Sequence, residues 1–135
     1  MEVPMNASDA ILKVLEQTTK LLKEKGWIRD ATAVDDRGRI VAYSSRRAAK
    51  FDLPGAILRA EHDLKLPVIF AGATAKYLNQ YTKSTIVTID RNAASAEDIL
   101  KVCRKAKEEI EKEARTIAKI LRRKRDQERE EGEDG

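Results

Sequence analysis

The chain has one cysteine, one histidine and one tryptophan in 135 residues, and each scarcity removes a class of chemistry. Cys103 has no partner for an internal disulfide, and one Cys with one His falls short of the usual four-ligand zinc set. No uninterrupted apolar stretch approaches the roughly 20 residues that span a bilayer. The N-terminus lacks the charged segment, apolar run and cleavage site of a secretion signal, so a cytoplasmic protein is expected and Asn6-Ala7-Ser8 reads as capping rather than glycosylation. Aromatic residues make up only 4% of the chain. A core must therefore rest on Leu, Ile, Val and Ala, with Trp27, Phe51 and Phe70 among a few large anchors. There is no glycine-rich phosphate loop, nucleophile elbow or dinucleotide fingerprint. The expectation is a non-enzymatic protein with no cofactor and no metal.

What is present is 41% hydrophobic residues, enough for a single folded domain at this length, and a charge asymmetry. Residues 126–135 hold six acidic side chains and one Arg, net −5, so the +4 overall leaves +9 on residues 1–125. A basic body attracts nucleic acid, anionic membrane or acidic protein, and an acidic tail screens it.

Apolar periodicity predicts four helices. Ile11, Val14, Leu15, Thr18, Leu21 and Leu22 recur at helical spacing from Ser8 to Lys25. Gly26 suits the left-handed stop after them, with Trp27 expected to fold back on Leu22 as a clamp. The stretch Ser44–Leu64 is the centre of the chain. Ser44 and Ser45 are suited to cap a short helical turn through Arg46, Arg47 and Lys50. Leu53 is expected to be extended because it precedes Pro54, and a second helix starts near Pro54 with Ala56, Ile57, Ala60 and Leu64 inward. Gly55 and Ala56 admit a close neighbouring backbone. Pro67 opens a third helical pattern from Val68 to Tyr81, weakened at Gly72. Ser95 and Asp98 form a capping-box pattern for the last helix, whose stripe Ile99, Cys103, Ala106, Ile110, Ile117 is interrupted at Glu113 and closed by Ile120 and Leu121.

Strand signals are short. Ala31–Val34 and Arg39–Tyr43 flank the turn Asp35-Asp36-Arg37-Gly38 and read as a hairpin, with β-branched Thr85–Ile89 as a candidate third strand. The fold class expected is α+β, mostly helical. Residues 1–7 are expected to be disordered, 8–114 to form one compact domain, 115–131 to project as the charged end of the last helix, and 132–135 to form a disordered acidic tail.

From Trp27 onward the landmarks gain a further meaning. Gly26-Trp27, Asp35 to Gly38, Ala48 to Phe51, Gly55-Ala56 with Ile57 to Ala60, Ile86 to Asp90 and a closing helix from Ala96 to Ala106 together resemble a family of small uncharacterised proteins of actinobacteria and their phages, over about residues 8–110. The likeness is most specific from Phe51 to Ala60, where members typically show an aromatic, a cysteine and then Leu-x-Gly-Ala. This chain has Asp52 in place of that cysteine, and Asp90-Arg91 where members more often have Trp-Asn-Asp, so no metal or thiol role carries over. The resemblance implies a phage or mobile-element setting and one α+β domain.

The remaining chemistry is weighed residue by residue. His62 lies between Glu61 and Asp63 on a predicted helix and reads as a surface histidine; Cys103 on the apolar stripe reads as core; Asp35 and Asp36 are turn residues lacking a calcium ligand series. Arg46, Arg47, Lys50 and Arg59 form a candidate basic face. Arg115, Lys119, Arg122, Arg123, Lys124 and Arg125 line the far end of the last helix. Two partners follow from these sites. A host, virion or second copy of the protein docks on the projecting helix and the Arg46-Arg47-Lys50 face, or nucleic acid binds the basic helix through its phosphates without sequence preference.

Overall fold

The computed structural model describes residues 7–67, 69–83 and 86–133. The expected disordered ends fall mostly outside them. Five helices and one two-stranded antiparallel sheet follow in the order α1 (Ala7–Glu24), β1 (Ala33–Val34), β2 (Lys50–Phe51), α2 (Leu53–Asp63), α3 (Ile69–Thr82), α4 (Ile86–Asn92) and α5 (Ala96–Glu133). The chain is α+β and mostly helical, as its periodicity predicts.

Helix α1 is the central element and packs against α2, α3 and α5. It is amphipathic because Ala10, Val14, Leu15, Leu21 and Leu22 fall on one face, and all five are buried. Thr18 shares that face, fully buried, and its hydroxyl donates to the Val14 carbonyl at 2.7 Å, so no polar atom is stranded there. Phe51, Leu53, Ala56, Ile57, Ala60, Leu78, Ile99, Cys103, Ala106 and Ile110 complete the core. Removing a side chain such as Leu15 or Phe51 from water contributes about 2 kcal/mol each. Burial pushes the Cys103 thiol up to about 12, which keeps it an inert core group.

Several local expectations are corrected. Trp27 packs against the core cluster that holds Leu22, but its backbone is tied to Phe51: Gly26, at φ +133°, turns the chain so that Trp27 forms a parallel bridge with Phe51, closed by Phe51 N–H to Gly26 O and Ile28 N–H to Phe51 O. Gly26 does take the positive φ expected of it after α1, and a second left-handed stop ends α2. There Lys65, at φ +56°, and Leu66 donate to the His62 and Glu61 carbonyls.

The hairpin pairs only next to its turn, where Val41 N–H donates to Ala33 O at 3.1 Å. Asp35 N–H donates to Arg39 O at 2.8 Å, Gly38 sits at φ +80°, and a single Val34–Ile40 bridge follows. The buried Asp35 carboxylate accepts from the backbone N–H of Arg37 and Arg39, which explains the turn without a cation. The strand that actually pairs with β1 is Lys50–Phe51, in the register Ala33–Phe51 and Val34–Lys50. These residues were expected to end a helical turn. Instead Ser45 closes a tight turn, its Oγ accepting from Arg47 N–H at 3.1 Å, and the chain leaves extended because Phe51 must reach the core between Trp27 and Ala33.

The third strand is not formed. Ile86–Asn92 is helix α4, and Thr85 lies outside the described residues. Both neighbours of Phe51 are already taken, by Trp27 and by Ala33, so no free edge remains there for a strand, and a helical turn brings Ile89 against the core and Asp90 inward. Finally, Leu53 opens α2 rather than preceding it, because Asp52 is the cap: its backbone is extended and its carboxylate accepts from Gly55 N–H at 2.7 Å. In α3, Pro67 precedes the helix as expected, Leu78 is buried and Tyr77 packs against the core, while Val68 lies outside the described residues.

Candidate interaction surface

Helix α5 is held by α1 along its first four turns. Ile99, Cys103, Ala106 and Ile110 face α1, and Lys107 reaches Glu16 at 3.3 Å. Ile110 is the last buried residue on it; residues 112–130 are exposed throughout. Asp98 stabilises the start by accepting from Ala94 N–H at 2.8 Å, one residue earlier than a capping box would place it. Beyond Ala114 the helix continues for about 30 Å at 1.5 Å per residue, ending at Glu133. Its apolar stripe continues too: Ile117, Ile120 and Leu121 are 55%, 58% and 53% exposed.

Arg115, Lys119, Arg122, Arg123, Lys124 and Arg125 are all exposed on this far half, and none is held in an ion pair among the described residues. The other predicted group is split. Arg46 and Arg47 are exposed and share an open groove with Lys25, Asp36, Ala48 and Ala49, while the Lys50 stem lies across Gly26. Arg59 is not part of any basic face. It braces the loop from beneath, donating to the Tyr43 and Ser45 carbonyls at 2.9 and 2.7 Å and to Asp63 at 2.9 Å. His62 is exposed, as expected of a surface histidine.

Sequence reasoning missed a second feature, a notch of about 80 Å³ lined by Arg29, Asp30, Asp52, Pro54, Asp90 and Arg91. Asp90, only 5% exposed, accepts from Trp27 Nε1 at 2.6 Å and from Leu53 N–H at 3.1 Å through one oxygen, Oδ1. Arg29 lies over the Trp27 ring at 5.4 Å and donates to the Ala93 carbonyl. Burial raises the Asp90 carboxyl, against the lowering bonds from Trp27 and Leu53. Asp52 is pushed up to about 6, chiefly by burial and further by the charges of Asp90 and Asp30. The one signal available was Asp52 itself, an acceptor three residues before Gly55 at a helix start. Nothing local announces the Trp27–Asp90 pair, which joins positions 63 apart.

The Asp52 environment sets a pH dependence. A carboxyl raised from 3.8 to about 6 binds more protons folded than unfolded, so the stability it contributes is full below about pH 4 and falls as pH rises to about 6. Asp52→Asn keeps the capping oxygen and removes the charge. At pH 7.5 it is expected to be more stable than the parent by about 1 kcal/mol, after allowing for solvent screening of a half-exposed group, and equal to it at pH 4. Urea melts of both chains at the two pH values check this; an advantage that persists at pH 4 would count against the assignment.

Among the described residues no group of three or more His, Cys, Asp or Glu is placed to hold a metal ion, and no helix is long and apolar enough to cross a membrane. Residues 7–109 match the model of a family of unknown function, DUF6197. The chain belongs to that family. The match ends at Glu109, so α5 beyond its last buried turn lies outside the DUF6197 region. No curated protein and no solved structure matches the chain.

Proposed function

We propose that this DUF6197 protein is a non-enzymatic interaction module that self-associates or docks on a protein partner through the far half of α5, aided by the exposed Arg46-Arg47 loop and Lys50. One observation carries the reading. About 20 residues of helix extend past the last buried turn with Ile117, Ile120 and Leu121 in solvent, an apolar strip that nothing in its own chain covers among the described residues. The phage or mobile-element setting comes from the family resemblance, and a cytoplasmic location from the single, buried Cys103.

A second reading has its own support. The six cations from Arg115 to Arg125 are exposed and free of ion pairs among the described residues, an arrangement suited to phosphates of any nucleic-acid sequence. Acidic neighbours at Glu109, Glu111 and Glu113 and the absence of aromatics along the run weigh against it.

A chain ending at Ala114 tests both. Because residues 115–130 are exposed and add little to the core, it is expected to melt within about 3 °C of the full chain while losing every protein association the full chain shows. Light scattering and capture with each chain as bait make the comparison; associations retained by the shortened chain sink the proposal. The same two chains offered a generic duplex at low salt separate the readings, since duplex binding lost on truncation supports nucleic acid and its absence in the full chain removes that alternative.

A further inference from the structure

We propose that the partner of the far half of α5 is the same segment of a second copy, the two helices lying antiparallel about Ile117. This rests on reading that segment as a docking surface and adds the identity and direction of its occupant. The charge order along α5 decides the direction. Residues 101–107 carry net +4, residues 108–113 net −3, residues 114–125 net +6 and residues 126–130 net −2. A parallel, in-register pair sets each block against its own sign. Turning one helix end to end about Ile117 brings residues 108–113 level with residues 121–126 of the other copy, which carry net +3, so Glu109 and Glu111 come level with Arg125 and Arg123. The same rotation sets residues 127–133, net −3, beside residues 101–107, so blocks of opposite net charge meet on both sides of the central segment 114–120.

The apolar surface agrees with this register. Ile117, Ile120 and Leu121 lie at its middle, so both copies cover the strip that each leaves in solvent alone. Beside α5 runs an open groove of about 300 Å³ lined by Glu109, Lys112, Glu113, Thr116 and Ile117. Antiparallel pairing sets Arg125 of the second copy level with Glu109, a cation against an acid of the groove, and its Leu121 level with Glu113, one turn from Ile117. The folded bodies then sit at opposite ends of the pair, each beside the last turns of the other copy's helix.

Charge reversal separates the orientations. The chains Glu109→Lys/Glu113→Lys and Arg122→Glu/Arg125→Glu are each expected to self-associate roughly tenfold more weakly than the parent, and their equimolar mixture to recover the parent affinity by forming a mixed pair. Sedimentation velocity from about 5 to 200 μM in low salt measures this. Far-UV circular dichroism confirms that each chain is folded, which is expected because the changed side chains contribute nothing to the core. Reversals that leave self-association unchanged overturn the antiparallel pair, as does a full chain that stays monomeric at 200 μM. In the monomeric case the docking reading itself survives only if truncation at Ala114 still abolishes capture of another protein, so the two failures are told apart.

Discussion

Gly55→Ala is expected to lower the melting temperature by roughly 15 °C or to prevent folding, a cost of about 4 kcal/mol or more. A Cβ at this position would stand 1.8 Å from the Thr32 carbonyl oxygen, 2.7 Å from its carbon and 2.9 Å from Asp52 Oδ1. Neither neighbour is free to give. Thr32 leads directly into β1, whose Ala33 is paired with Phe51, and Phe51 is fully buried between Ala33 and Trp27. Asp52 is the cap of α2 and holds Gly55 N–H at 2.7 Å, so moving its carboxylate also loosens the helix start. The same substitution at Gly72, in α3, meets nothing within 4 Å and is expected to stabilise by about 0.5–1 kcal/mol through helix propensity alone. Thermal unfolding of the two variants beside the parent is the check. A Gly55→Ala chain melting within about 5 °C of the parent would mean that α2 does not approach Thr32 as closely as described.

That contact marks how far the sequence could be read. Gly55-Ala56 announces a close approach, and the helices α1, α2, α3 and α5 are legible because their buried residues recur every three or four positions, which is information within one element. The projecting end of α5 is legible for the same reason, since its stripe breaks at Glu113 and thins after Leu121. What could not be read is what depends on distant partners. Lys50–Phe51 is too short for any alternation to register, and its strand character comes from Trp27 on one side and Ala33 on the other. Ile86–Ile89 is rich in β-branched residues and still forms a helix, because its place is set by the core under Ile89 and by Asp90 reaching Trp27. The notch was invisible for that reason: Asp52 and Asp90 are 38 positions apart and meet only after α2 and α4 have packed.

Asp90→Ala is the second large effect, an expected loss of about 3 kcal/mol, or roughly 10 °C in melting temperature. One carboxylate oxygen ties the exit of α1, through Trp27 Nε1, to the first residue of α2, through Leu53 N–H. Truncation leaves both donors without an acceptor, and Leu53 is fully buried, so water does not replace the lost bond at its N–H. Asp90→Asn separates that loss from the charge. Its amide oxygen still accepts from both donors, and removing a buried charge offsets part of what a charge-assisted bond contributes, so it is expected to stay within about 1 kcal/mol of the parent at neutral pH. The sign with pH follows from the raised carboxyl: the folded protein holds the Asp90 proton more tightly than the unfolded chain, and the parent loses stability as pH rises from about 4. The Asn chain lacks that slope and is expected to gain on the parent between pH 4 and pH 7. Trp27 is the only tryptophan, so its emission reports this bond directly. Asp90→Ala is expected to shift the emission and Asp90→Asn to leave it nearly in place; an alanine chain as stable as the parent, with unchanged fluorescence, would remove the Trp27–Asp90 tie from the account of how α1, α2 and α4 are held together.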